Sequence, residues 1–259
     1  ASDSGLDLVA GLSAGVSSDN CLTPGTGPGG YKAALTTWLK ANVGVTTATD
    51  GSTVTDWQDQ WIGNHDATTG VAAPTYRSTT SNINFNPTVD FTTGSTSLTI
   101  ANNLAFNTGG PYTKKGINLA FRTSTSDINT RQVLYEQGGS DRGITVYIRD
   151  GKLHLSSWNR TSDGSGSPWN TSANVATIAT ATLSENTEYI VTLEFSGNTS
   201  STGTVTGYLN GQSFATLNNV GLLYSDTDGI EFGASDGASR YDNGSSSSAN
   251  SYYGEISEL

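Results

Sequence analysis

Methionine is absent from this sequence of 259 residues, and cysteine occurs once, at Cys21. A single cysteine rules out an intrachain disulfide and any zinc site built on paired cysteines. Histidine occurs only as His65 and His154. With no Gly-x-Ser-x-Gly elbow beside them, Ser/His/Asp nucleophile chemistry has little to draw on. Lysine and arginine number 12 against 23 acidic residues, for a formal net charge of −11. So acidic a chain repels phosphate backbones, which excludes nucleic acid as an expected partner. No apolar run approaches the length of a membrane span, so membrane insertion by a helix is not expected. No signal peptide is legible and the chain opens at Ala1, which reads as a processed or excerpted chain.

What is present is small and polar. Glycine occurs 31 times, and hydrophobic residues make up 34% of the chain. That composition verges on disorder, but repeated alternation of apolar and polar residues argues instead for thin strands with long polar loops. One domain is expected at this length, since all-β sandwiches of this size are common. The Thr/Ser/Asn/Gly richness suits an exported bacterial protein, secreted or held at the cell surface.

The most informative stretch is Val133–Trp158, VLYEQGGSDRGITVYIRDGKLHLSSW. Asp150-Gly151 between two alternating runs is a hairpin signal, because a type I′ turn needs φ > 0 at both central residues. A two-residue loop fixes the register: Arg149 faces Lys152, Ile148 faces Leu153, Tyr147 faces His154, Val146 faces Leu155 and Gly143 faces Trp158. Ile144, Val146, Ile148, Leu153 and Leu155 then share a core face. Tyr147, Arg149, Lys152, His154 and Trp158 share the other, which is expected to be solvated or to touch a ligand. Asn210-Gly211 is a second turn of the same kind, setting Tyr208 opposite Ser213 and Gly207 opposite Phe214. Tyr189, Val191, Leu193 and Phe195 alternate inward on the strand before it.

The start of the chain divides at about residue 30. Residues 1–30 read as an N-terminal extension that ends in a Pro/Gly linker, Pro24–Gly30, and carries a short apolar segment, Leu6–Val16. Tyr31–Ala41 is compatible with a helix or a strand by spacing alone.

A resemblance enters with the blocks that follow. Trp38, Leu39, Lys40, Ala41, Gly44 and Val45, then Val54, Trp57 and Asp59, then Gly63, Asn64 and Ala67, then Pro74, Phe85, Pro87 and Phe91 form a series of spaced motifs. Together with LYEQGG, GITVYI-x-DGKL, the Tyr-Leu-Asn-Gly hairpin and the closing GEISEL, this series resembles laminin-G-like, concanavalin-A-like jelly-roll domains of secreted bacterial surface proteins. It covers 31–259. Where the family usually has a short Ser-Gly after the aspartate, this chain has Gln60-Trp61-Ile62. The resemblance implies an all-β fold, a two-sheet antiparallel jelly-roll sandwich, with Thr36–Ala41 as a strand.

Three kinds of site are expected. Sugars stack on aromatic rings with polar neighbours, so Tyr147, His154, Trp158, Arg160, Trp169, Arg240 and Tyr241 are candidates for a glycan platform. The alternative is that Trp158 or Trp169 caps the sandwich edge. Calcium prefers loop carboxylates, and Asp56, Asp59 and Asp66 fall in one loop, with Asp226-Thr227-Asp228-Gly229 a second. Concanavalin-A-like domains hold a structural calcium between an early loop and the last strand, which implies Asp59, Asp66 and Glu258 as ligands. Turn-forming aspartates are the alternative. Glu136, beside core residues, must be paired or hydrogen-bonded, to loop amides or to an arginine such as Arg142.

A glycoside hydrolase needs two carboxylates, and the family's catalytic Glu-x-Asp-x-x-Glu has only Glu255-Ile256-Ser257-Glu258 as a near match, without the central aspartate. The function expected is therefore a non-catalytic extracellular recognition or adhesion module whose partner is a glycan or a surface protein. The alternative is a structural subunit of an extracellular filament or large adhesin, self-associating by strand addition through Leu6–Val16 or the last strand.

Overall fold

The computed structural model describes residues 35–78, 83, 86–160, 169, 175–235, 239–241, 246–247 and 250–259. The expected extension over 1–30, with Leu6–Val16 and Cys21, lies outside the described residues, as does Phe85.

Strands and turns account for the described residues, and no helix occurs among them. The first strands are short: β1 (Asp56–Trp57), β2 (Ala67–Thr69), β3 (Thr75–Arg77), β4 (Thr88–Asp90) and β5 (Leu98–Ile100). Longer ones follow: β6 (Lys114–Arg122), β7 (Gln132–Gly138), β8 (Arg142–Arg149), β9 (Lys152–Asn159), β10 (Val175–Thr182) and β11 (Glu188–Ser196). The chain closes with β12 (Gly203–Leu209), β13 (Gln212–Val220), β14 (Ile230–Phe232), β15 (Ser239–Arg240), β16 (Ser246–Ser247) and β17 (Glu255–Glu258). An eight-stranded sheet runs β1-β2-β5-β14-β7-β8-β9-β10, and a seven-stranded sheet runs β13-β12-β11-β6-β17-β4-β3. Every neighbouring pair in both is antiparallel. The expected two-sheet antiparallel jelly-roll sandwich is the fold.

The core lies between the sheets. Ile144, Val146, Ile148, Leu153 and Leu155 meet Leu119, Phe121, Val191, Leu193 and Phe195 there. At about 25 cal/mol per Å² this burial is the main force holding the sheets together. The β8–β9 register is the expected one at every pair. Asp150 and Gly151 have φ of 51° and 69°, as the primed turn requires.

The β12–β13 hairpin departs from expectation by one residue. Asn210 and Gly211 make the turn at φ 50° and 76°, and Tyr208 pairs with Ser213. Beyond it the register shifts, so that Gly207 pairs with Ala215 and Phe214 is the bulged residue. The ring of Phe214 explains this: a Cβ on Gly207 would stand 2.4 Å from its tip. The ring lies over the glycine, and the strand accommodates it by a bulge.

Thr36–Ala41, expected to be a strand, is not one: it is held by isolated bridges, Leu39 with Asp59 and Lys40 with Glu258, and Ala41 opens a turn. Leu39 and Leu259 exchange N–H···O bonds of 3.0 Å in both directions, and the Ala41 amide donates to Ser257 at 3.0 Å.

Candidate functional site

The expected aromatic platform is not a surface. Tyr147, Trp158 and Tyr241 are buried with at most 1% of their area exposed, and Trp169 and His154 are buried as well. The Tyr147 ring stacks on His154 at 4.7 Å and meets the edge of Tyr241 at 4.9 Å. The Arg131 guanidinium lies 3.9 Å from the Tyr241 ring centre, and Asn250 donates to the Tyr241 hydroxyl at 3.0 Å. The Trp158 indole lies over Gly143, where a Cβ would fall 2.5 Å from the ring, and its N–H donates to the Gly139 carbonyl at 2.8 Å.

Trp169 sits in the main core instead, stacked on Phe195 at 5.6 Å with its N–H on the Leu222 carbonyl at 2.7 Å. Only Arg160 and Arg240 are partly exposed. Arg240 donates to the Ser140 carbonyl at 3.0 Å, and burial, then the neighbouring Arg160 charge, lowers its pKa.

The reading of the Tyr147/His154/Trp158 face as solvated is thereby corrected. Tyr241 and Asn250, from the long connection between β14 and β17, lie on it and close a small second core with Val133 and Tyr147. A buried ring presents no face to a sugar. The alternative, that Trp158 and Trp169 serve packing, fits their surroundings.

The carboxylates expected to hold calcium are engaged by protein donors. Asp59 Oδ1 accepts the backbone N–H groups of Trp38 at 2.8 Å and Trp61 at 2.9 Å, and Oδ2 accepts that of His65 at 2.9 Å. Asp66 Oδ1 accepts the Asp59 amide at 2.8 Å. Glu258 accepts the Trp38 indole N–H at 2.6 Å. Asp59 therefore has both oxygens engaged by backbone amides, while Asp66 and Glu258 each give one oxygen to a protein N–H. Among the described residues no group of three His, Cys, Asp or Glu side chains is placed to hold a metal. Asp59 and Asp66 instead pin the corner loop, which is the turn role.

Glu255 and Glu258 have separate partners, Thr88 at 2.7 Å with Arg122 at 3.4 Å for the first and Trp38 for the second. Glu136 is buried and stands in register with buried Glu231 on one side and Thr145 on the other.

A feature with no counterpart in the sequence reading lies beside β6. A cavity of about 520 Å³ opens there, with Trp38, Phe106, Tyr112, Ile117, Tyr135 and Phe232 in its walls. Lys115 is on the inward parity of β6, with Ile117, Leu119 and Phe121, and its ammonium enters this space. It donates to the Phe106 carbonyl and lies 3.9 Å from the Tyr112 ring centre. Burial lowers its pKa to about 7. On the far side, burial raises the Glu258 pKa, opposed by the Trp38 N–H and by Lys40. The parity of Lys115 was the available signal: a lysine two positions before the first of three inward apolar residues.

No protein-family model matches the chain, and no curated protein matches its sequence. Solved structures do resemble it. The binding domain of botulinum neurotoxin serotype G aligns with 86% of this chain and 46% of its own length, at 12% identity and a TM-score of 0.53. The serotype D binding domain aligns over 77% of this chain and 42% of its own, at 12% identity and a TM-score of 0.50. This chain therefore spans under half the length of the neurotoxin domains it resembles. Domains LG4-5 of the mouse laminin alpha1 chain align with 60% of this chain and 37% of their own length, at 14% identity and a TM-score of 0.41. At the identities of the two neurotoxin domains the likeness is one of fold: this chain is built on the β-sandwich that they share.

Proposed function

We propose that the chain is a non-catalytic recognition module that works outside the cell and holds a partner protein in the cleft beside β6. The observation that carries this reading is the cleft itself, a cavity of about 520 Å³ with aromatic walls and a desolvated lysine. Sites of this size and lining are where proteins hold ligands. Two structures with this sandwich are described as toxin binding domains, which supports a binding role by analogy of fold. The burial of Tyr147, Trp158 and Tyr241, the rings expected to form a glycan platform, supports the choice of a protein over a glycan. Among the described residues no helix is long and apolar enough to cross a membrane.

The test is to probe the purified chain against an array of extracellular proteins and, in parallel, a glycan array. Binding to a protein, removed by Asn118→Arg at the exposed rim of the cleft, is the expected result. Binding indifferent to Asn118→Arg, binding confined to glycans, or hydrolysis of a glycoside lost in Glu258→Gln would overturn the reading.

A further inference from the structure

Among the described residues β13 is the longest edge strand of the sandwich and the least guarded. The other edges are short, covered or broken. β1 has two residues, and Trp57 within it is bridged to Val45. β3 has three, and its far side is taken: the Gly51 amide donates to the Tyr76 carbonyl at 2.9 Å and the Tyr76 amide to the Ser52 carbonyl at 2.8 Å. β10 is interrupted by a bulge between Ala179 and Thr182. β13 has nine residues, Gln212–Val220, with no proline and no charged side chain, the usual guards of an edge. It stands mid-chain, between β12 and β14, and four strands away from β17 in its sheet.

The bonds of the hairpin fix which backbone groups face outward. The Asn210 amide donates to the Ile190 carbonyl, on the β11 side, at 2.7 Å. Backbone groups alternate sides along a strand. Tyr208, Thr206 and Thr204 therefore face β11, whereas Gly207 and Val205 bond to β13. Their partners there are Ala215 and Leu217. Thr216 and Asn218 accordingly turn N–H and C=O away from the sheet. Both residues are exposed, and among the described residues no backbone group meets theirs. Register shifts at Phe214 and Asn219 bound this stretch, leaving Ala215–Asn218 as a regular run of edge. Ala215 and Leu217 pack on the margin of the main core and are half-buried.

We propose that β13 pairs with β13 of a second copy of this chain, antiparallel about a twofold axis through Leu217, so that the seven-stranded sheets of two molecules run on as one. The outward groups dictate the register. Thr216 exchanges both backbone bonds with Asn218 of the second copy, and Asn218 does the same with Thr216 of the second copy. Leu217 then faces its own counterpart at a non-hydrogen-bonded site, where opposed Cα atoms come to about 4.5 Å. Each Leu217 covers the exposed part of the other. The edge is its own complement, as a twofold interface requires. Charge favours the same partner. At a formal net charge of −11 two copies repel, but β12 and β13 carry no charged side chain, so the paired edges add nothing to that repulsion. Four backbone bonds and one leucine pair make a small contact, of the weak and transient class. The pairing is independent of the cleft beside β6.

Sedimentation of the intact chain from micromolar to millimolar concentration tests the pairing, with Cys21 kept reduced so that it does not link copies. The expected result is a dimer that forms as concentration rises. Leu217→Lys and Leu217→Asp, each alone, set like charges face to face on the axis and should weaken the dimer roughly tenfold or more. Mixed in equal amounts, the two variants should pair again, because opposite charges then meet at the same point. Thr216→Pro removes an outward N–H and no bond to β12, a place where an edge strand tolerates proline, and should weaken the dimer likewise. If these variants do not fold, amide exchange of the wild type read by NMR decides: exchange at Thr216 and Asn218 slows as concentration rises, while that at Ala215 and Leu217 is slow throughout. A chain that stays monomeric at millimolar concentration overturns the proposal. So does a dimer that folded Leu217→Lys, Leu217→Asp and Thr216→Pro leave intact, or a mixture of the two Leu217 variants that fails to pair. Exchange at Thr216 and Asn218 that is already slow in dilute protein overturns it too, since the edge is then covered within one molecule.

Discussion

The two sheets carry the same kind of alternating sequence, yet their outer faces have opposite fates. In the eight-stranded sheet every residue of β7 is buried, and β8 and β9 are buried at all but one position each. In the seven-stranded sheet β11 and β12 alternate buried with half-buried or exposed residues, as a one-sided sheet should. Its outer face carries Arg122 between Glu188 and Glu255, Arg77 on Asp90, and the Thr206–Thr216 pair. Parity assigns side chains to two faces. It does not say which face is wet, because that depends on whether a distant segment lies over it.

This difference is open to test, beginning with the largest effect. Trp158→Ala should lower stability by about 3–5 kcal/mol, the cost of emptying a packed aromatic site, read as a shift in denaturation midpoint. A loss under about 1 kcal/mol would mean that the outer face of the eight-stranded sheet is open after all. Gly151→Val and Gly211→Val probe one turn in each sheet. Both glycines have positive φ, so each substitution should cost roughly 1–2 kcal/mol, with no dependence on cover. A large disparity would show that one turn is held by tertiary contacts instead.

Lys115→Met tests a cation on the inner face of the seven-stranded sheet. The folded pKa is lowered to about 7 from 10.5. The native state therefore resists charging, and the wild type loses stability as pH falls from about 10.5 through 7. The Phe106 carbonyl keeps its bond from Gln137 at 3.0 Å in the variant. Lys115→Met should thus be more stable by about 1 kcal/mol at pH 7, with the gain fading as pH rises from about 7 and gone above pH ~10.5, where the amine is neutral in both states. A gain that persists at high pH would assign the effect to packing rather than charge. The smallest effect is expected at Thr206→Ala on the outer face, about 0.5 kcal/mol or less; a loss several times larger would mean that this face is covered too.

What was legible in the sequence followed local rules. Asp150-Gly151 fixed eight pairs of the β8–β9 ladder, because a two-residue turn leaves no freedom of register. Asn210-Gly211 fixed only the first pairs, since the fit of Phe214 over Gly207 is a packing event that turn chemistry does not encode. The cover on Tyr147 was not legible, because Tyr241 and Asn250 are about a hundred positions away in the chain. Asp59 and Asp66 have the composition of an ion site, but both oxygens of Asp59 and one of Asp66 accept backbone amides, and sequence does not show which way a carboxylate faces. The cavity beside β6 leaves one trace in the sequence, a lysine of inward parity.

The reciprocal bonds between Leu39 and Leu259 give the module a direction of mechanical weakness. The two segments run antiparallel, so a load applied at Leu35 and Leu259 enters at one end of their pairing. Each hydrogen bond then bears the whole load in turn, and the pair unzips instead of shearing. Under such a load this corner opens one bond at a time, and each freed residue adds about 3.5 Å of slack. Peeling Leu35–Trp38 away also removes one wall of the cavity beside β6, while β6, β11, β12 and β13 remain paired.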